Sequence, residues 1–546
     1  MSTEMNDTTL APFDPSDSNA LGAAIGGAGV DLAVSILRAL LASGEYPTAV
    51  YLMRHWGDRF DDDTDYLKVR RAILGKTGEL SEVLLLTHRL IAKNESTVVA
   101  SAGLEGRLKE LLGVRPRILG PLDPIEPASH NRVMHLAKES RPYLSNGFTS
   151  RSHNNFLAEK SAGLDPVVVT EPGFPRNGQS SPMQSSRTVD GIKHIHLDLG
   201  PVDLTGMPAD RYLQLFADMA YASMKEIRPA VIHASSGRRG FETVLVALAL
   251  KAKTGIPVVY EVRSFFETNW TSEIQYEASG EIYERRLARE LDCMQSVDLV
   301  LTIGESMREE LISRGIAPNK IGLIPNGVDC DRFQPRRKDQ ELAKSLGVGS
   351  APTFGYVSNM DHHRESQETL IRATAHLAAR GRPDHCVLVG DGPRRHNLEH
   401  LAEDLGVQER VHFTGRVDHS SIHRYYSLID TFVVPRIAER AATYVTPLKP
   451  FEAMAMGLPL VVSSLPGLVE IADPPHRGWA FPPGDAGALS RVLEQIADNP
   501  QDREKRASAG LSWVRQERQW NHNGPRYVEY FDALTGRDSE PTRGEK

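Results

Sequence analysis

Short apolar runs separated by helix-length segments dominate this chain from about residue 130 onward, and the alternation stops once and restarts. Residues 133–136, 167–170, 192–197, 231–234, 258–262, 299–303 and 321–324 form the first series. Segments 211–227, 241–253 and 281–296 carry helical patterning between them. Apolar runs without polar alternation belong to strands buried on both faces, which requires a parallel sheet covered by helices on each side. A charged stretch, 334–344, then interrupts the pattern. It resumes at 353–357 and continues through 386–389, 411–413, 431–434 and 460–463. Two doubly wound α/β domains in tandem are expected, about 125–345 and 346–505. A helical tail should follow over 506–546, with its charged last dozen residues frayed. Ligands of such sheets bind outside the carboxyl ends of the strands, so the loops there are where chemistry belongs.

The first 120 residues read differently. Residues 1–25 are polar or rich in Gly and Ala, and a mobile N-terminus is expected. From Asp31 to about Leu112 the pattern is helical. Leu40, Gly44, Glu45, Val50 and Leu52 recur 34 residues later as Leu74, Gly78, Glu79, Leu84 and Leu86. This period fits two helical hairpins of tetratricopeptide type, and it also fits an ordinary helical bundle. Pro121, Pro124 and Pro127 mark a linker to the first α/β domain. The helices are expected to serve a protein partner or self-association.

Charge and cysteine content exclude several classes. Sixty-three Lys and Arg against 71 Asp and Glu leave a net charge of −8, which disfavours nucleic-acid binding. Cys293, Cys330 and Cys386 form neither a disulfide framework nor a zinc pattern, as expected of a reducing cytoplasm. The first twenty residues lack Lys and Arg, so no secretory leader is expected. The apolar stretch at 21–42 is broken by Asp31 and Arg38 and is no membrane span. The expected location is the cytoplasm, with a peripheral place at the inner membrane face also open.

Several loops could carry chemistry. Gly390-Asp391-Gly392-Pro393 follows an apolar run and precedes a helix. Its glycines permit close backbone approach by a ligand, or a tight turn alone. Pro325-Asn326-Gly327-Val328-Asp329 is a turn signal. The block from Pro435 to Gly457 is the most informative. A polar loop there feeds a short helix opening near Pro450. Loop amides, the helix start and Lys449 would together face an anion, and Glu452 lies one turn on. A surface helix with an ion pair is the plain alternative. Gly75-Lys76-Thr77 lacks the first glycine of a phosphate loop. The run Asp61-Asp62-Asp63-Thr64-Asp65 sits between helices and reads as a solvated acidic loop. The histidines show no metal spacing.

Taken together, the motifs resemble the retaining family-4 glycosyltransferases, enzymes of GT-B fold with two Rossmann-like domains. The resemblance runs from about Arg132 to Tyr530. It rests on His135-Leu136, Ser145-Asn146-Gly147-Phe148-Thr149-Ser150-Arg151, Val259-Tyr260-Glu261-Val262-Arg263, the Asn326-Gly327 turn, the Gly390 loop, Phe413-Thr414-Gly415-Arg416 and the block Pro447 to Gly457. It implies a nucleotide-sugar donor, UDP- or GDP-linked, no cofactor and no metal. The acceptor would be a glycan, a lipid-linked sugar or a small molecule. Asn146 and Gly147 would lie beside the diphosphate and acceptor. Arg263 would line the cleft, and Arg416 and Val417 would hold the base. Glu452 would bind the ribose diol. Gly390, Gly392 and Thr446 would complete the donor site, and the tail near Trp520 would cross back onto the first domain. The family often has a second glutamate where this chain has Tyr444. It usually has an arginine and a lysine after the strand at 353–357, where this chain has Tyr356 and then Arg364. The resemblance therefore puts the diphosphate on Lys449, with Arg364, Arg436 and Arg263 as helpers. An inactive helical-repeat adaptor, a nucleotide-sugar epimerase and a sugar phosphorylase remain alternatives.

Overall fold

The computed structural model describes residues 29–175, 185–199, 204–237, 240–271, 273–418 and 420–536. The expectations for 1–25 and for 537–546 lie outside them. Two parallel-dominated sheets make up most of the fold. The first contains β1 (Arg132–Ala137), β2 (Asp165–Thr170), β3 (Ser186–Val189), β4 (Ile192–His196), β5 (Val231–Ser235), β6 (Val258–Val262), β7 (Leu299–Thr302) and β8 (Ile321–Leu323), in the order β3-β4-β2-β1-β5-β6-β7-β8. The second contains β9 (Thr353–Val357), β10 (His385–Val389), β11 (Val411–Phe413), β12 (Thr431–Val434), β13 (Leu460–Ser463) and β14 (Trp479–Phe481), in the order β11-β10-β9-β12-β13-β14. The strands β5, β6, β7, β9, β12 and β13 are buried along their whole length, as unbroken apolar runs require. This is the doubly wound pair of Rossmann-like sheets that the alternation predicts.

Two strands were not expected. β3 is polar and exposed, and it pairs antiparallel with β4. Asp190 and Gly191 join them, both at positive φ, which is the backbone an Asp-Gly hairpin turn uses. That dipeptide was a legible signal. β14 is three residues long and closes the edge of the second sheet beside β13. The charged stretch at 334–344 also holds a helix, Gln340–Ser345, capped by Asp339, whose carboxylate accepts from Leu342 N at 3.0 Å.

The tail returns to the first sheet. Tyr527 and Phe531, on the helix Asn523–Thr535, share one apolar cluster with Val133, Val231, Val259, Leu299 and Ile324. Val328 N donates to Arg518 O at 2.7 Å, and Asn523 Nδ2 donates to Pro325 O at 3.0 Å. A Cβ on Gly327 would lie 2.9 Å from Arg518 O, so the Asn-Gly turn is glycine where the tail crosses it.

The N-terminal helices are Val30–Ser43, Tyr46–Trp56, Thr64–Thr77, Leu80–Ala92 and Val98–Leu111. The 34-residue period is geometric. Gly44 and Gly78 each end a helix in the left-handed region, at φ 79° and 83°. Their N–H groups return to Leu40 O and Leu74 O. Residues Ala33, Leu37, Leu52, Tyr66, Ile73 and Leu86 belong to one core. Within the acidic run, Asp63 caps a helix by accepting from Tyr66 N at 2.8 Å, and Asp61 pairs with Arg70 at 2.9 Å.

This helical unit is not limited to the first 120 residues. Thr205–Tyr212 and Glu267–Arg289 join it. The carbonyls of both repeat glycines accept from the second of these segments, Gly44 O from Tyr276 Oη at 3.1 Å and Gly78 O from Ile282 N at 3.0 Å. Lys109 meets Asp210 at 3.2 Å.

Candidate functional site

Glu452 and Lys449 open the short helix Lys449–Ala455. Helical spacing puts them on one face, and Lys449 Nζ lies 3.3 Å from Glu452 Oε2. Glu452 is 8% exposed. A carboxylate that buried needs partners, and Tyr426 supplies one: its hydroxyl donates to Glu452 Oε2 at 2.6 Å. Burial and the Glu452 charge push the Tyr426 hydroxyl far above its ordinary value, so it remains a donor. Both contacts fall on Oε2. Tyr426 lies 26 residues earlier in sequence, and nothing local marks it.

The other cations are placed unevenly. Arg436 is half-buried, with Nη2 2.9 Å from Glu365 Oε1, Nε 3.2 Å from Oε2 and Nη1 3.3 Å from Val445 O. Tyr356, read as the lost arginine position, is fully buried and donates to the same Glu365. Burial opposes ionisation of Glu365, but Arg436 wins and holds its carboxyl below the usual range. The expected helper Arg436 is thus a structural partner of Glu365. Arg364 stays outside this pair, 4.0 Å from Glu365 and partly exposed.

Arg263 is likewise spoken for. Nε and Nη2 meet Glu261 Oε2 at 2.8 and 2.5 Å, and Nη1 meets Ser152 Oγ at 2.6 Å. Glu261 and Arg263 are two residues apart at the end of β6, so alternation puts them on one face. Burial disfavours the Glu261 charge, yet Arg263 and Arg151 keep its carboxyl well below the usual carboxylate range. Arg263 also lines a small hollow with Lys138, Glu139, Ser152, Ser236 and Phe266 at the carboxyl ends of β1, β5 and β6. It borders this hollow, but its guanidinium is held by Glu261 and Ser152.

Asn146 caps the helix Gly147–Ser161. Its Oδ1 accepts from Thr149 N at 2.9 Å, and Thr149 Oγ1 accepts from Asn146 N at 2.9 Å. A Cβ on Gly147 would find Leu448 of the second domain at 3.9 Å. The Asn146–Gly147 turn therefore faces the start of the Lys449 helix.

A buried chain of hydrogen bonds also links the two sheets. Arg151 Nη1 donates to Asn326 Oδ1 at 2.8 Å, and Asn326 Nδ2 donates to Thr446 O at 2.7 Å. Thr446 precedes Lys449 by three residues, so Asn326 fixes the loop that carries it. Thr446 is buried at 3% exposure, and its side chain meets Asn326. A larger cavity, about 380 Å³, is bordered by Gly304, Thr446, Phe451, Glu470, Arg518 and Tyr530. Neither Lys449 nor Glu452 borders it.

The Gly390 loop is shaped by its neighbour. A Cβ on Gly390, at φ 138°, would lie 1.9 Å from Ser358 O, and one on Gly392 would lie 2.5 Å from Met360 C. Ser358 N donates to Val389 O and Met360 N to Asp391 O, both at 3.0 Å. These glycines let the β9 and β10 loops pack backbone to backbone. Arg416 and Val417 follow β11, with Arg416 exposed and Val417 half-buried against the core.

Two parallel-dominated sheets with flanking helices, one after the other in the chain, define the class of two-domain GT-B proteins. Residues 156–332 match the model of Glycosyltransferase Family 4, and residues 351–499 match that of Glycosyl transferases group 1. The chain belongs to the family-4 glycosyltransferases of GT-B fold. It is 29% identical over 240 residues to the GDP-mannose-dependent α-(1-6)-phosphatidylinositol monomannoside mannosyltransferase of Mycobacterium tuberculosis, covering 43% of this chain and 61% of that protein. It is 25% identical over 227 residues to the 2-deoxystreptamine glucosyltransferase of Streptomyces kanamyceticus, covering 41% and 57%. The chain thus spans somewhat more than half the length of these curated relatives. Sucrose-phosphate synthase from Thermosynechococcus elongatus shares the fold at TM-score 0.61 and 20% identity, over 74% of this chain and all of that one. HepE of Anabaena in complex with UDP-glucose does so at TM-score 0.56 and 17% identity, over 74% and 99%. Among the described residues, no helix is long and apolar enough to cross a membrane.

Proposed function

We propose that this chain transfers a sugar from a UDP- or GDP-linked donor to a hydroxyl of a glycan, a lipid-linked sugar or a small molecule, with retention of configuration and without a metal. The observation that carries the reading is the Glu452–Lys449 pair, on one turn directly after Leu448, which approaches Gly147. Glu452 keeps Oε1 clear of Tyr426 and Lys449. A carboxylate so held can accept from a ribose diol, as Glu452 does in this reading. Lys449 then lies one turn from the ribose, where the diphosphate begins. Arg364, partly exposed beside Glu365, is its helper in this reading.

A nucleoside diphosphate is already a good leaving group. The reaction mainly needs positive charge at the phosphate as its negative charge grows. Lys449 and the amides of the adjoining loop supply this. An oxocarbenium-like centre forms as the C1–O bond to the diphosphate breaks. The acceptor oxygen forms its bond to C1 on that same face, and its proton passes to a departing phosphate oxygen. No protein nucleophile is required, unlike the two-carboxylate glycosidases. The hollow beside Lys138, Glu139, Ser152 and Arg263 is where the acceptor is placed. A cytoplasmic enzyme, at the inner membrane face if its acceptor is a lipid, is the matching location.

The test is a screen of nucleotide sugars for thermal stabilisation, followed by transfer assays and NMR of the product's anomeric proton. Stabilisation by one donor and a retained anomer after brief EDTA treatment are expected. An inverted product, or activity lost to brief EDTA and restored by manganese, refutes the mechanism. Nucleotide binding without turnover against a broad acceptor panel would favour the adaptor alternative.

A further inference from the structure

The core of the first domain holds a cluster that the transfer reaction does not use. His135 on β1, His233 on β5 and Glu159 on the helix Gly147–Ser161 converge there. One ligand atom from each lies within 4.8 Å of the other two. None is more than 1% exposed. His135 Nε2 and Glu159 Oε2 are 2.8 Å apart. The remaining polar atoms are left over: His135 Nδ1, Glu159 Oε1, His233 Nδ1 and the Tyr527 hydroxyl have no hydrogen-bond partner. Glu261 Oε2 stands 3.5 Å from His233 Nε2, while its shorter hydrogen bonds come from arginines.

So many unpaired buried atoms in one place are anomalous, because each costs about 1–3 kcal/mol when left without a partner. Glu159 makes the case sharper. It is a fully buried carboxylate whose nearest basic group is an imidazole. We propose that His135, Glu159 and His233 bind a zinc-type divalent cation that fastens β1 and β5 to the helix Gly147–Ser161. Two imidazoles and a carboxylate are a donor set that zinc accepts. Tetrahedral zinc sets its donors about 3.3 Å apart; His135 and Glu159 are 2.8 Å apart, and the His233 nitrogen, within 4.8 Å of both, would move in to close the set. A metal-bound histidine ordinarily gives its other nitrogen to a carboxylate, and Glu261 is placed to take that of His233. The fourth position falls to water or to Tyr527, whose ring lies 5.7 Å from that of His233. Tyr527 is on the tail helix, so the cation would also brace the returning tail. Burial this complete separates the site from the donor cleft and makes it structural.

The test uses the full chain, tag removed, equilibrated with zinc sulfate, desalted, and measured by elemental mass spectrometry and thermal unfolding. About one zinc per chain is expected, with a higher melting temperature than protein refolded without metal. Cobalt in place of zinc should give a visible ligand-field band. Glu159→Gln and His233→Asn should each weaken retention by roughly a hundredfold. If the variants do not fold, X-ray absorption on the zinc-loaded parent decides, because only nitrogen and oxygen neighbours that include two imidazoles fit. Less than about a tenth of a zinc per chain in the loaded parent overturns the proposal, and ordered water then fills the cluster. Zinc that survives both substitutions overturns it equally.

Discussion

Replacing Lys449 by methionine tests the catalytic reading most directly. The change keeps the stem and removes the charge. In the free protein Lys449 Nζ sits 3.3 Å from Glu452 Oε2, with about a third of its side chain exposed. A pair of that kind contributes about 1 kcal/mol or less, and Glu452 keeps its bond from Tyr426. The fold should therefore barely change. Two of the other expected helpers, Arg263 and Arg436, are already held by carboxylates. Arg263 is held by Glu261 and Ser152, and Arg436 by Glu365. Charge on the leaving diphosphate grows toward the transition state, so turnover should fall more than donor affinity. Losing a preorganised cation there should cost ~3–4 kcal/mol of barrier, roughly a hundred- to a thousandfold in kcat. The assay is steady-state transfer with the donor found by thermal screening, alongside the donor Kd by calorimetry. A kcat reduced by less than about fivefold, with the protein folded, would sink the argument and move the role to Arg364.

Three further outcomes follow from the same geometry. Glu452→Gln should weaken nucleotide binding by roughly ten- to a hundredfold, the scale of a charge-assisted hydrogen bond; a 2′,3′-dideoxyribose donor should be nearly indifferent to the change, and equal losses for both donors would place Glu452 away from the ribose. Asn326→Ala breaks the chain from Arg151 to Thr446 and should destabilise the protein by ~2–3 kcal/mol in urea titrations; a loss below about 0.5 kcal/mol would show the chain to be incidental. His412, stacked on His385 between β10 and β11, is lowered from 6.5 to about 4 by burial and then by His385. A histidine lowered in the folded state is kept neutral there, so its contribution is complete above pH 6.5 and is lost as pH falls to about 4. After solvent screening of a half-buried ring this amounts to ~1–2 kcal/mol, and His412→Gln should flatten the fall in melting temperature between neutral pH and pH 5. An unchanged slope would contradict the assignment.

The sequence by itself determined the parts of this protein that depend on neighbours along the chain. Buried strands must read as unbroken apolar runs, so the two sheets were visible in outline before any contact was known. The repeated glycines 44 and 78 were visible because a left-handed helix end tolerates little else. Lys449 with Glu452, and Glu261 with Arg263, were legible because helical and strand periods put each pair on one face. The tertiary structure decided which buried groups answer one another. Arg436 finds Glu365 at a separation of 71 residues, Asn326 finds Thr446 at 120, and Tyr426 finds Glu452 at 26. It also decided that 267–289 completes the N-terminal helices. A buried charge must be paired, and that rule states that a partner exists without saying where. Topology supplies the location, because strand order and helix packing bring together residues that no local period connects. That is why Arg436 and Arg263 are held by Glu365 and Glu261, and why His135, Glu159 and His233 met without any spacing to announce them.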